Sequence, residues 1–207
     1  MNKVRGLKKT WYKNGTIKEI FYTLSGKKHG EYKMFSEDGS ILVSCAYKDG
    51  KISGVLQEFN THLNIKTNKN LEYKNGLRHG EQYEYVDGKL YKKYKCYKGA
   101  LTGEYLTYHS NEEVHIKCNL VDGELNGKLT MYDKGVKRLV YNYKKGKLHG
   151  ECIKYENSTY MVGYFCDGLP IKKWKEVDKN GKTIRVFVSS RLLGESVFKN
   201  MKWEISM

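Results

Sequence analysis

Pairs of glycines four residues apart recur along the 207-residue chain at an almost constant spacing. One copy is the stretch NGLRHGEQYEY, residues 75–85, and five further copies keep its two glycines while the other side chains change. The steps between successive first glycines are 24, 26, 23, 24 and 23 residues. Such a period is the signature of a repeat protein, in which each unit packs against its neighbours. The first glycines are Gly26, Gly50, Gly76, Gly99, Gly123 and Gly146, and the second are Gly30, Gly54, Gly80, Gly103, Gly127 and Gly150.

Each unit has an alternating apolar and polar stretch just before its first glycine. In one unit, Val43, Cys45 and Tyr47 alternate with Ser44 and Ala46. Alternation with a period of two is typical of a β-strand with one buried face. A second strand is expected to begin at the second glycine, and the two glycines are expected to bracket the turn between the strands.

Turn sequences also separate one unit from the next. KNG at 13–15, EDG at 37–39, VDG at 86–88 and DKG at 133–135 place asparagine, aspartate or glycine where tight hairpins need them. Strands and turns therefore alternate throughout, which predicts an all-β fold. We expect an elongated single-layer antiparallel β-meander of about seven to eight hairpin repeats.

An aromatic residue stands five positions after the second glycine in all six units. Large rings on neighbouring strands bury much surface when they stack. We therefore expect these side chains to form a buried column along the sheet. They are Phe35, Phe59, Tyr85, Tyr108, Tyr132 and Tyr155.

The period extends over nearly the whole chain without a linker rich in proline, glycine or serine. We expect one repeat array at residues 1–193, with an irregular N-terminal unit at 1–25 and a diverged last unit at 168–193. A C-terminal cap or tail is expected at 194–207.

Two places depart from the repeat. Residues 60–70 lack the turn signal that separates other units, and Lys172 stands where a second glycine would be. Both places are expected to be irregular.

The chain shows no apolar run of about 18 residues, the length that a transmembrane helix needs. Its five cysteines include no CxxC pair. An odd number of unpaired cysteines fits reduced thiols better than a disulfide framework. We therefore expect a soluble cytoplasmic protein.

Three histidines, His29, His79 and His149, occupy the position just before the second glycine. Other units have serine, threonine or asparagine there, which favours a hydrogen bond to a neighbouring turn over metal ligation. Successive histidines would also lie too far apart along the sheet to share one ion. No serine, histidine and acid trio is recognisable. We therefore expect no catalytic residue, no metal and no cofactor.

Lysine and arginine exceed aspartate and glutamate by 38 to 23, a net charge of +15. A potential of this sign attracts anionic partners. The densest basic stretch is YKKYKCYKG at 91–99. The alternative is that lysine only solvates an open sheet and its edges. The candidate partner-binding residues are Lys93, Lys95, Lys98, Lys117 and Lys147.

The repeated unit resembles the MORN repeat, and more closely the variant found in YwqK-type antitoxins and related bacterial and viral proteins. The resemblance is carried by YKDGKISG from Tyr47, YKNGLRHGE from Tyr73 and YKKGKLHGE from Tyr143, with DGLPIKKWKEVDKNGK from Asp167 as a diverged last copy. It covers about residues 1–188.

The resemblance implies a β-hairpin array that binds a partner without catalysis. A protein partner with an acidic surface is expected first, with an antitoxin-like inhibitor as one form of such a scaffold. Binding to an anionic phospholipid surface is the alternative. Binding to nucleic acid is the third, because the tyrosines and lysines at 91–98 would supply stacking and phosphate contacts.

The unbroken period predicts an elongated particle. About 15 strands at about 4.8 Å each give a length near 70 Å. We expect small-angle X-ray scattering of the full chain to give the pair-distance distribution of a rod. A distribution that matches a compact sphere would contradict the single-array interpretation.

Overall fold

The computed structural model describes residues 5–62 and 65–187. Regular secondary structure within these residues consists of 19 β-strands, numbered β1–β19 along the chain. The chain divides into two units, residues 1–114 and 115–207. The predicted all-β class and antiparallel meander of hairpins are confirmed. No helix in the described part of the chain has the length and apolar character needed to cross a bilayer.

In the first unit, strand order in the sheet follows chain order. Each strand pairs antiparallel with the next, and both the two-residue β5 and the longer β6 pair with β4. The strands are β1 Arg5–Trp11, β2 Ile17–Leu24, β3 Lys27–Phe35, β4 Ile41–Lys48, β5 Lys51–Ile52, β6 Gly54–His62, β7 Ile65–Lys74, β8 Leu77–Val86, β9 Lys89–Tyr97 and β10 Ala100–Tyr108.

The strands that follow are arranged in the same way. β11 pairs with both β12 and β13, β14 pairs with both β15 and β16, and the remaining strands pair in chain order. They are β11 Val114–Val121, β12 Glu124–Leu125, β13 Gly127–Asp133, β14 Val136–Lys144, β15 Lys147–Leu148, β16 Gly150–Tyr155, β17 Thr159–Cys166, β18 Leu169–Asp178 and β19 Thr183–Phe187.

The two glycines of a repeat adopt positive φ for different reasons. Asn75 (φ 54°) and Gly76 (φ 82°) are the central residues of a two-residue turn, where both positions need positive φ. Gly80 (φ 98°) lies inside β8, where Glu72 of β7 faces three residues at a bulge. In this repeat the glycines do not bracket one turn as expected, because β8 begins before Gly80. The expected start at the second glycine is observed for β6, β13 and β16.

A buried row of side chains crosses the sheet of the first unit. Opposed residues of paired strands lie on one face, and the pairs Tyr32 with Cys45 and Leu56 with Leu71 are members of this row. These four side chains form a core cluster. The complete row is Phe21, Tyr32, Cys45, Leu56, Leu71, Gln82, Tyr94 and Tyr105.

The second unit contains an equivalent row. Its members include Leu129 opposite Tyr141, and Cys152 opposite Gly163. A Cβ on Gly163 would collide with the Trp174 ring, so glycine at this position makes room for the indole. The buried members are Cys118, Leu129, Tyr141, Cys152, Gly163 and Trp174.

The alternation predicted before the first glycine is confirmed, because Cys45, Leu71 and Tyr94 are buried on the expected register. The predicted buried aromatic column is wrong. Phe59 is 38% exposed, and the equivalent rings are only partly buried. The reason is strand parity: the buried row lies two residues after the second glycine, and a residue three positions further along points to the opposite face. The half-buried rings are Phe35, Tyr85, Tyr108, Tyr132 and Tyr155.

The irregular strand pairing expected at residues 60–70 is not observed. β6 and β7 pair without a register shift from Gly54 opposite Tyr73 to His62 opposite Ile65. At Lys172, the backbone has the same bulge as the other repeats, because three residues of β18 face Gly163. The prediction of one continuous array stays a prediction, and the expected cap or tail at 194–207 lies outside the described residues.

The buried row, rather than the aromatic column, is expected to stabilise the first unit. We expect Leu71→Ala to lower the free energy of unfolding by about 2 to 5 kcal/mol, because its side chain is fully buried. Phe59→Ala is the control and is expected to cost less, since its ring is 38% exposed. Urea denaturation followed by tyrosine fluorescence measures both. A larger loss for Phe59→Ala would show that the column carries the packing.

Candidate interaction surface

Successive glycine turns are joined by main-chain hydrogen bonds. The N–H of Gly50 donates to the carbonyl of Lys28 at 2.8 Å, and the N–H of Gly76 donates to the carbonyl of Ile52 at 2.9 Å. The second unit repeats the contact between Gly168 and Leu148 at 2.8 Å. Within each unit, the turns therefore form a continuous edge, which we call the turn edge.

The residue before the second glycine contributes a side-chain contact to this edge. His29 Nδ1 accepts a hydrogen bond from the N–H of Asp49 at 3.4 Å, and Asn126 Oδ1 accepts one from the N–H of Lys145 at 3.3 Å. The histidine position thus bonds to the next turn, as the sequence predicts. His79 differs, because its ring packs against the Tyr97 ring at 5.2 Å.

Lysines face each other across the strands that flank two of these turns. Lys48 is opposite Lys51 on either side of the turn at Gly50, and Lys144 is opposite Lys147 at the equivalent place in the second unit. All four are exposed, and none forms a salt bridge within the described part of the chain. Opposed like charges are destabilising.

The stems of the turn-edge lysines lie over glycine. Stem carbons of Lys27 lie next to Gly50, and stem carbons of Lys51 lie next to Gly76. The aliphatic carbons cover the turn backbone while the ammonium groups reach solvent. The turn edge of the first unit therefore presents exposed cationic groups.

The sheet face opposite the buried row is polar in the first unit. Its central residues include Gln57 and Asn70, which are opposed on β6 and β7, and Gln57 Nε2 donates to Asn70 Oδ1 at 3.3 Å. Amides and hydroxyls of this kind offer hydrogen-bond donors and acceptors to a partner. The row is Lys33, Ser44, Gln57, Asn70, Tyr83 and Lys93.

The structure places the predicted lysines in different settings. Lys93 and Lys95 lie together on β9, on the face opposite the buried row. Glu81 partly neutralises them, because its Oε2 is 3.6 Å from Lys93 Nζ and its residue is directly opposite Lys95. The Glu81 carboxylate raises the pKa of Lys93.

Lys98 is a turn residue with φ 48°, and its Nζ lies 5.3 Å from the centroid of the Tyr97 ring. Lys117 and Lys147 belong to the second unit. Lys48, Lys51 and Lys144 are not among the partner-binding lysines predicted from the sequence. Their pairing could have been predicted from the sequence, because the residues on either side of a two-residue turn lie opposite each other.

The buried thiols do not offer reactive groups. Burial raises the pKa of Cys118 and of Cys152 to about 11. It also raises the pKa of Cys45 to about 11, against the opposing effect of Lys28. A thiol must ionise to act as a nucleophile. These side chains therefore serve packing rather than catalysis.

Comparison of the chain with protein-family models and with curated proteins gives no match. The resemblance to the MORN repeat therefore stays a prediction from the repeated motifs. Function is inferred from the geometry of the turns and of the lysines.

Thiol labelling tests the placement of the five free cysteines. Cys166 is half-buried at the turn edge, whereas the other four are buried. We expect iodoacetamide at mildly alkaline pH to modify only Cys166 in the native protein, and all five in urea. Mass spectrometry of the labelled peptides gives the answer. Labelling of Cys152 at the rate of Cys166 would contradict the buried row.

Proposed function

We propose that the protein is a non-enzymatic binding protein of the MORN-like type, which engages an acidic surface of a partner protein. The contact is made by the turn edge of the first unit and by the polar sheet face beside it. An antitoxin-like inhibitor is one form that such a scaffold takes. The proposed compartment is the cytoplasm, where the five free cysteines stay reduced.

The opposed lysines are the observation that supports this proposal. Lys48 and Lys51 are directly opposed across the turn, and neither has a salt-bridge partner among the described residues. A carboxylate of a partner between them converts a repulsive pair into two attractive contacts. Lys144 and Lys147 show the same arrangement at one turn of the second unit.

The adjoining polar face favours a protein over a membrane or a nucleic acid. Glu31, Glu72 and Glu81 lie on this face, each opposite a residue of the neighbouring strand. Carboxylates repel phosphate-rich surfaces, whereas a protein partner can place lysine or arginine against them. Mixed charge of this kind sets the register and the choice of partner in protein complexes.

Charge reversal at the turn edge tests the proposal. The variant Lys48→Glu/Lys51→Glu changes the net charge from +15 to +11, since each substitution removes two units. We expect it to lose most of its binding to a glutamate-rich peptide, with a weaker dependence of the residual affinity on salt. Fluorescence anisotropy measures the affinity at two salt concentrations.

The matched control is Lys9→Glu/Lys66→Glu, which changes the net charge equally at exposed positions away from the turn edge. It is expected to retain most of the binding. Phosphatidylserine vesicles and single-stranded RNA are titrated in parallel. Tighter binding to vesicles or RNA than to the peptide would replace the protein partner with that ligand. Equal losses in both variants would mean that net charge alone attracts the anion.

A further inference from the structure

Three side chains of different chemistry meet at the last glycine turn of the second unit. His149 lies between β15 and β16, Cys166 is the last residue of β17, and Asp167 follows it in the turn with φ 50°. One potential ligand atom from each lies within 4.8 Å of the others. The cluster combines an imidazole, a thiol and a carboxylate at a partly open site.

We propose that His149, Cys166 and Asp167 form a binding site for one divalent cation of the zinc class. Imidazole nitrogen, thiolate sulfur and carboxylate oxygen are the ligands that Zn²⁺ takes in proteins. Three protein ligands leave the fourth tetrahedral position to water. The ion would join two successive turns of the second unit.

The distance between two of the ligand atoms fits a shared tetrahedral ion. His149 Nδ1 is 3.4 Å from Asp167 Oδ1. With both bonds near 2.1 Å, this separation corresponds to an angle of about 108° at the metal. Cys166 is half-buried and adjacent to Asp167 in sequence. Its Sγ lies within 4.8 Å of a ligand atom of each of the other two residues, so it can form the third bond to the ion.

The same turn in the first unit shows which residue makes the difference. His29 Nδ1 is also 3.4 Å from Asp49 Oδ1, and the side-chain exposures of the two pairs are the same, at 35% and 70%. The histidine and aspartate are therefore placed by the repeat itself. Lys48 occupies the position equivalent to Cys166. A cation there would meet an ammonium group instead of a sulfur ligand.

Binding displaces only a weak contact. The N–H of Asp167 points to His149 Nδ1 at 3.5 Å, at the long end of hydrogen bonding. A metal ion bound to His149 Nδ1 uses the lone pair that accepts this hydrogen bond. The N–H of Asp167 can then donate to water, because the turn is exposed. The turn remains held by the hydrogen bond from Gly168 to the carbonyl of Leu148 at 2.8 Å.

The buried cysteines do not compete for the ion. Burial raises the pKa of Cys118 and of Cys152 to about 11, and both are almost without solvent contact. A metal ion needs the thiolate and a path to it. The structure therefore predicts one thiolate-containing site among the described residues.

Titration of the metal-stripped full chain with zinc chloride under reducing conditions tests the site. We expect isothermal titration calorimetry to give one ion per chain, and cobalt chloride to give the near-ultraviolet absorption of a thiolate ligand. Cys166→Ser is expected to remove this absorption and to weaken zinc binding by more than about tenfold. Absence of binding by the unaltered chain would overturn the proposal.

Two further variants separate ligation from folding. His149→Asn keeps the acceptor that Asn126 supplies at the same repeat position, so the turn contact survives while the imidazole is lost. We expect weakened zinc binding at an unchanged melting temperature of the metal-free protein. Zinc binding unchanged in both His149→Asn and Cys166→Ser would show adventitious binding elsewhere and would refute the site.

A gain-of-function variant tests the geometric argument directly. Lys48→Cys places a sulfur beside the His29 and Asp49 pair, which already has the required 3.4 Å spacing. We expect the stoichiometry to rise from one ion to two, with a second thiolate contribution to the cobalt spectrum. A stoichiometry that stays at one would show that the histidine and aspartate spacing does not create a metal site.

Discussion

Each repeat has a bulge at its second glycine, and this bulge leaves the same side chains on the buried face of the sheet before and after it. At Gly80, three residues of β8 face one residue of β7. The two extra residues are an even number, so side chains before and after the bulge stay on the same face. Arg78 and Gln82 accordingly both point to the buried side, opposite Tyr73 and Leu71. A bulge with one extra residue would move every following side chain to the other face.

The turn edge follows from the same backbone. In several two-residue turns the glycine N–H donates to a carbonyl of the preceding repeat, as at Gly50, Gly76 and Gly168, so neighbouring turns hold each other in register. Side chains at equivalent positions then occupy equivalent places, whatever their chemistry. This is why His29 with Asp49 and His149 with Asp167 share one geometry, and why opposed lysines recur. The same backbone geometry thus carries a lysine beside His29 and Asp49 and a cysteine beside His149 and Asp167.

The glycine period and the alternation before it were sufficient to predict the fold class and the buried face of strands such as the one holding Cys45. The column through Phe59 was misplaced, because Phe59 lies three residues, an odd number, beyond the buried Leu56 on the same strand and therefore points to the opposite face. Gln82, fully buried in an apolar row, carries no apolar signal. The cluster at Cys166 brings together residues 17 and 18 positions from His149, and the distances in the structure reveal it, because no sequence motif links residues so far apart.

A single-layer sheet has no second layer to cover its buried row, and cationic side chains take part of that role. Lys28 Nζ lies 4.2 Å from the centroid of the Tyr32 ring, 4.7 Å from Phe21 and 5.4 Å from Tyr47. Its stem covers apolar surface while its charge is held over aromatic faces. Lys51, on β5 of the next repeat, is exposed at the turn edge. The net charge of +15 therefore combines lysines that cover the sheet with lysines that are exposed at the turn edge, and strand parity decides which is which.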